Sequence, residues 1–255
     1  MSAARSGSRR PPSRREVIDA GVWALVAAAG SGERLAADRP KAFVRLGERP
    51  LLAESLERLD ASEWIDAIVV AAPPDWEEPV ILLAEELGCG KVIASVTGAA
   101  TRAESVRLAM AEVPDDASVV LVHDAARPLV TEDVIGRVLG GLGDGHDGAV
   151  PALPLVDTIK RARSGEVVET VERTELVAAQ TPQAFAASTL RQALAGDIGG
   201  ASDCASLVER RGGRIKVVAG DRRLLKVTEP EDLELVAKWA LEARKAPTGE
   251  PEVSS

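Results

Sequence analysis

The stretch Ala27-Ala28-Ala29-Gly30-Ser31-Gly32-Glu33-Arg34-Leu35, continuing to Pro40-Lys41, follows the apolar run that begins at Trp23. The run reads as a buried strand that ends in glycine. Small residues at the carboxyl end of a strand let backbone N–H groups come close to phosphate oxygens. A dinucleotide-binding turn would need a third glycine where Leu35 stands, and Pro40 would break its helix after about two turns. A P-loop needs lysine directly after its last glycine, followed by Ser or Thr. Here Lys41 lies nine residues beyond Gly32 and Ala42 follows it. The remaining readings are a plain strand-to-helix turn, or an extended loop that carries Arg34 and Lys41 back over a polyphosphate, with Pro40 restricting the backbone before the lysine.

Outward from this loop, apolar runs alternate with helical periodicity. Strands are expected at 67–72, 91–94, 118–123 and 148–152, and helices at 50–59, 77–87, 101–111 and from about Thr131. Thr101 and Glu104 form a capping-box pair at the start of the third of these helices. This βαβ alternation predicts an α/β, Rossmann-like, mostly parallel sheet with helices on both faces. The pattern changes at Asp157. Residues 158–163 and 166–171 are short runs joined through Ser164-Gly165, which predicts a β-hairpin arm over about 156–172. Helices near Ser188 and Asp203 and a strand over 215–219 follow. The last helix is expected to open with a Thr228–Glu231 capping box and Pro230 in its first turn. Its apolar face would be Leu233, Val236, Ala237, Ala240 and Leu241.

Composition narrows the function. The 255 residues are 45% hydrophobic, enough for one sizeable core. No apolar run is long enough to cross a membrane and none precedes Val22, so no membrane association or secretory signal is expected and the default compartment is cytoplasmic. The net charge is -9 and aromatic residues are 2%, which argues against nucleic acid as a partner. Cys89 and Cys204 have no metal-type spacing and read as buried free thiols. His123 and His146 are the only histidines, too few for a His-rich zinc site. Five arginines fall within the first 15 residues. Residues 1–20 are expected to be a disordered basic tail, and 245–255 a second tail.

The motif A-A-G-x-G-x-R-L followed by P-K resembles the signature of sugar-phosphate nucleotidyltransferases. His123-Asp124-Ala125-Ala126-Arg127-Pro128 resembles a motif of the 2-C-methyl-D-erythritol 4-phosphate cytidylyltransferase family. Asp157-Thr158-Ile159-Lys160, Thr170-Val171-Glu172-Arg173, Thr181-Pro182-Gln183 and Lys226-Val227-Thr228-Glu229-Pro230-Glu231-Asp232-Leu233 are similar to further family motifs, in the family's order. Together they span about 22–241.

The resemblance implies one nucleotidyltransferase domain over 21–244. It also implies transfer of CMP from CTP to 2-C-methyl-D-erythritol 4-phosphate, with ribitol 5-phosphate as the alternative acceptor. A phosphate monoester is largely dianionic at neutral pH, so it is already a nucleophile. Catalysis then reduces to positioning and charge stabilisation. By resemblance, Arg34 and Lys41 stabilise charge at the α-phosphate. Ala28, Ala29 and Gly30 offer backbone contacts to CTP. The Gly98-Ala99-Ala100 turn and Ser105 read the cytosine and ribose. Asp124 contacts the acceptor, Arg127 helps build its pocket, and Arg173 and Lys226 hold its phosphate. Thr158, on the arm, would reach the partner's site in a homodimer. Mg²⁺ or another divalent cation would bind mainly through the CTP phosphates. Two departures stand out: Ala99 replaces a family glycine, and Cys204 stands where relatives often carry glutamate. An NAD-linked dehydrogenase and a non-catalytic nucleotide-binding protein are the readings from other classes.

Overall fold

The computed structural model describes residues 21–30, 32, 35 and 39–245. The expected tails (save Lys245) and Arg34 lie outside them. Strand β1 (Val22–Ala27) occupies the middle of the sheet. It pairs in parallel with β4 (Ala67–Ala72) on one side and β6 (Val119–Asp124) on the other. Both neighbours are buried at every residue. That explains why their sequences are unbroken apolar runs rather than alternating ones. β5 (Val92–Thr97) closes one edge alongside β4. It runs three residues past the expected end, and as an edge strand it is only half-buried.

Beyond β6 the order changes. β11 (Gln183–Ala186) inserts antiparallel between β6 and β7 (Gly148–Pro154), β10 (Val177–Ala179) continues along the same edge of β7, and β12 (Ile215–Ala219) pairs in parallel with its other edge. The sequence did not reveal β10 or β11. Both are short and alanine-rich, with little β propensity of their own, and contacts with neighbouring strands keep them extended.

Side chains alternate across β1. Val22, Ala24 and Val26 face the layer made by α1 (Leu51–Asp60), α2 (Glu77–Leu87) and α4 (Glu132–Leu139). Leu25 faces the layer of α3 (Arg102–Met110), α5 (Ala187–Ala195) and α6 (Cys204–Arg210). Both cysteines are buried free thiols, one in each layer.

A third, smaller core lies under α7 (Pro230–Lys245). There Val236 and Ala240 pack with Val44, Leu46, Leu51 and Leu129. The minor hairpin β2 (Arg45–Leu46) and β3 (Arg49–Pro50) supplies part of that floor. Arg244 at the far end of α7 pairs with the buried carboxylate of Glu54 on α1. Two details of α7 differ from expectation. Leu241 is 56% exposed and outside the apolar face. The cap is made by Asp232, not Glu231: its Oδ2 accepts from Thr228 N, Thr228 Oγ1 and Glu229 N at 2.8, 2.7 and 3.0 Å. The helix begins at Pro230, which puts the capping carboxylate one residue later than the Thr228 spacing suggested.

The arm is a hairpin of β8 (Ile159–Arg163) and β9 (Glu166–Val171). Ser164 and Gly165 form its turn with φ of 49° and 85°, the signs a two-residue type I′ connection needs. Neither strand is hydrogen-bonded to the main sheet.

Candidate active site

The strand order reverses between β1 and β6, and an open α/β sheet opens its crevice outside the strand ends at such a point. A cavity of about 850 Å³ lies there, lined among others by Ala28, Gly30, Lys41, Gly98, Asp124 and Lys226. That volume suits a nucleotide-sized ligand.

One wall is the loop after β1. Ala28 N–H still donates to Ala71 O on β4 at 2.9 Å. The next two amides, of Ala29 and Gly30, find no backbone acceptor among the described residues. They are donors available to an anion. Lys41 opens a short 3-10 turn, Lys41–Phe43, which starts after the extended Pro40. Two contacts fix that turn. A Cβ at Gly32 would lie 2.7 Å from Lys41 Cβ, so only glycine lets the loop pack there. Phe43 stacks at a tilt on Trp76, with ring centroids 4.3 Å apart. Lys41 thus joins the cavity on a braced backbone.

The opposite wall is the turn Gly98-Ala99-Ala100 between β5 and α3. The capping box of α3 is fully formed, as expected: Glu104 N–H donates to Thr101 Oγ1, and Glu104 Oε2 accepts from Thr101 N. Ser105 lines the cavity, yet its hydroxyl serves the turn. It accepts from Ala99 N–H at 2.9 Å and donates to Thr101 O at 2.9 Å. Its geometry is that of a brace for the turn. Gly98 packs so tightly that an added Cβ would overlap the methyl of Ala29 across the cleft. The two walls therefore touch at a glycine.

Asp124 forms the floor. It is 6% exposed, and each oxygen holds a cation: Oδ1 lies 2.7 Å from Arg102 Nε, and Oδ2 lies 2.9 Å from Lys226 Nζ. Burial pushes this carboxyl upward, but Arg102 and Lys226 outweigh it and hold the group well below the ordinary carboxylate range. Burial pulls Arg102 down while Asp124 raises it, and the net is above its ordinary value.

The backbone behind Asp124 is clamped by a buried relay. His123 Nε2 lies 3.1 Å from Arg127 O, which can only accept, so Nε2 carries the proton. His123 Nδ1 then accepts from Thr181 Oγ1, 3.2 Å away, and Thr181 Oγ1 accepts from Asp124 N–H at 3.0 Å. Burial lowers His123 to about 4, so the ring is neutral. This is a structural role.

Lys226 is placed from two sides. Val227 N–H donates to Ala126 O at 2.8 Å, and Arg127 Nη1 donates to Leu224 O at 2.6 Å. Arg127 is not among the cavity-lining residues; it ties the lysine loop to the motif that carries Asp124. Burial lowers its guanidinium below the ordinary value.

The fold thus gathers Ala28, Ala29, Gly30, Lys41, Ala99, Ala100, Ser105, Asp124 and Lys226 around one cavity. Thr158 and Arg173 are exposed at the base of the arm and do not line it, and Arg173 Nη1 donates to Val156 O. Arg102 was not singled out from the sequence. It lies 22 residues from Asp124 on another element, and no local pattern connects them. Among the described residues no group of three or more His, Cys, Asp or Glu side chains could cage a metal ion. Among the described residues Asp124 is the one carboxylate lining the cavity, and both its oxygens hold cations. That donor set suits an ion carried by ligand phosphates and water, the habit of Mg²⁺.

Residues 22–242 match the family model described as 2-C-methyl-D-erythritol 4-phosphate cytidylyltransferase. Proteins of that name are similar over most of their length. The one from Nocardia farcinica is 44% identical over 229 residues, 89% of this chain and 97% of that protein. The one from Rhodococcus jostii is 45% identical over 215 residues, 84% and 92% of the two chains. Among solved structures, a 4-diphosphocytidyl-2C-methyl-D-erythritol synthase superposes with a TM-score of 0.74 at 33% identity, covering 88% of this chain and all of that one. The cytidylyltransferase from Thermus thermophilus gives 0.70 at 32% identity, covering 87% of this chain and 99% of that one.

Proposed function

The chain belongs to the 2-C-methyl-D-erythritol 4-phosphate cytidylyltransferase family, and we infer from this that it is a nucleotidyltransferase of non-mevalonate isoprenoid biosynthesis. It transfers CMP from CTP to 2-C-methyl-D-erythritol 4-phosphate, giving 4-diphosphocytidyl-2-C-methyl-D-erythritol and pyrophosphate. The relatives do not favour ribitol 5-phosphate as the acceptor.

In our reading, the triphosphate lies against the Ala29 and Gly30 amides and Lys41. Cytosine and ribose rest on the backbone of the Gly98–Ala100 turn, with Ser105 holding that turn. The acceptor enters over Asp124, which takes a hydroxyl, and Lys226 takes its phosphate. An oxygen of that phosphate attacks the α-phosphorus of CTP, and the bond to the pyrophosphate oxygen breaks. Lys41 and Arg34 offset the charge that builds on the α-phosphate oxygens. Mg²⁺, held by the CTP phosphates, supplies further charge neutralisation. No side-chain nucleophile is required, because the acceptor brings its own. Thr158 and Arg173 complete the acceptor site from the arm of a second subunit in a homodimer. Among the described residues no helix is long and apolar enough to cross a membrane, and a cytoplasmic setting fits such an enzyme.

The observation that carries this reading is the shared cavity, with Lys41 on one loop and the Asp124–Lys226 pair on its floor. The test is CTP-dependent release of pyrophosphate with methylerythritol phosphate, and with ribitol phosphate as comparator. Turnover only with ribitol phosphate, or with neither, would overturn it.

A further inference from the structure

We propose that Arg102 is a positioning residue, the standing counter-ion of Asp124, and that it frees Lys226 to leave this carboxylate for the acceptor phosphate. The inference rests on the acceptor reading above. Asp124 is shared between two cations that differ in kind. Arg102 sits at the first position of α3, and its side chain is 22% exposed. Its planar fork is pre-organised. Lys226 lies on a loop, its side chain is 42% exposed, and its ammonium is a point charge on a flexible stem. The first contact is built to stay and the second to exchange.

The rest of the guanidinium supports this division. Among the described residues Nη1 reaches only Cys204 Sγ, at 3.6 Å, and Nη2 is buried with no hydrogen-bond partner. Burial raises the Cys204 thiol, so it stays neutral and offers no competing charge. A carboxylate at this position would draw part of the guanidinium away; Cys204 leaves it to Asp124. The other groups around Asp124 do not replace Arg102. His123 is neutral, Arg127 directs Nη1 to Leu224 O and forms no ion pair with Asp124 among the described residues, and the Asp203 carboxylate accepts from Gln183 Nε2 and Ser206 N.

When a dianionic phosphate draws Lys226 away, Asp124 keeps one cation. Without Arg102, a bare buried carboxylate would face the incoming anion, and a charge left buried and unpaired is strongly unfavourable. The arginine therefore governs acceptor affinity while leaving the triphosphate cradle alone.

The experiment is steady-state kinetics of Arg102→Gln and Arg102→Lys with both substrates, from pH about 5 to 9. For Arg102→Gln the acceptor KM should rise about tenfold or more, while the CTP KM moves less than about threefold. The acid limb of kcat/KM for the acceptor should also shift upward, because Asp124 protonates more readily once its counter-ion is gone. Arg102→Lys keeps the charge and should hold both quantities near wild type. Equal rises in both KM values, an unchanged acceptor KM, or an unmoved acid limb would overturn the proposal. Should Arg102→Gln show no cooperative melt, Arg102→Lys decides: a wild-type Tm with an upward-shifted limb refutes it, and an unshifted limb supports it. A wild-type protein inactive on methylerythritol phosphate would sink the acceptor reading. An active wild type with indifferent variants would sink only the role of Arg102.

Discussion

Replacing Gly98 with alanine should damage the nucleotide cradle from the opposite wall. The added methyl would lie more than about 1 Å closer to the Ala29 methyl than two carbons approach at rest. It cannot retreat, because Ala72 O is 2.9 Å behind it and accepts Gly98 N–H at 2.7 Å. Ser105 Oγ, 3.1 Å away, closes a third side, and that hydroxyl is already bonded to the turn. The strain must therefore displace Ala29, whose amide on the cavity wall is proposed to meet the triphosphate, by about 1 Å. A shift of that size can cost about 100-fold in rate. Overpacking should also lower stability by about 1–3 kcal/mol. The assay is kcat/KM for CTP at saturating acceptor, with a thermal melt of the same sample. Gly30→Ala is the comparison: among the described residues nothing lies within 4 Å of its added Cβ, so its melt should match wild type while its CTP KM rises through contact with the phosphates. If Gly98→Ala kept kcat/KM for CTP within about threefold of wild type, the idea that the two walls meet at this glycine would be wrong.

Lys41→Ala should lower kcat about 100-fold or more with little change in Tm, the loss typical of a donor aimed at transition-state charge; near-normal turnover would reject its role. His123 holds its proton at about 4 rather than the ordinary 6.5, so between these values the unfolded chain binds a proton that the folded chain refuses. Stability should fall as pH drops through that window, by about 3 kcal/mol at most. Urea unfolding of wild type and His123→Gln at pH about 7 and about 4.5 checks this, and equal slopes in the two proteins would count against it. Asp232→Ala should cost about 1 kcal/mol by removing the cap of α7. It should also weaken acceptor binding through Thr228, which lines the cavity two residues from Lys226. For Thr158→Ala, weaker acceptor binding is expected, and mixed dimers with defects split between subunits should recover activity if the arm acts in trans.

Much of the architecture was legible from local rules. Unbroken apolar runs marked β1, β4 and β6 because both faces of a central parallel strand are covered. Thr101 with Glu104, and Ser164 with Gly165, announced a cap and a turn because each is a contact between near neighbours. β11 gave no such signal. Gln183–Ala186 is extended because it fills the gap between β6 and β7, and that gap exists only in the folded chain. The cap of α7 was misread by one residue because Pro230, not Thr228, sets where the helix starts.

The sequence by itself determined the sheet class, the glycine-lined bend after β1 and the pairing of Lys41 with a preceding proline. Ordered motifs added the chemistry of phosphate transfer. Only the tertiary structure decided who balances Asp124, that Ser105 serves its own turn, and that Thr158 and Arg173 lie outside the cavity of a single chain. The reason is range. A turn or cap is fixed by residues a few positions apart, whereas Arg102, Asp124 and Lys226 come from three elements that meet only when the strand ends converge.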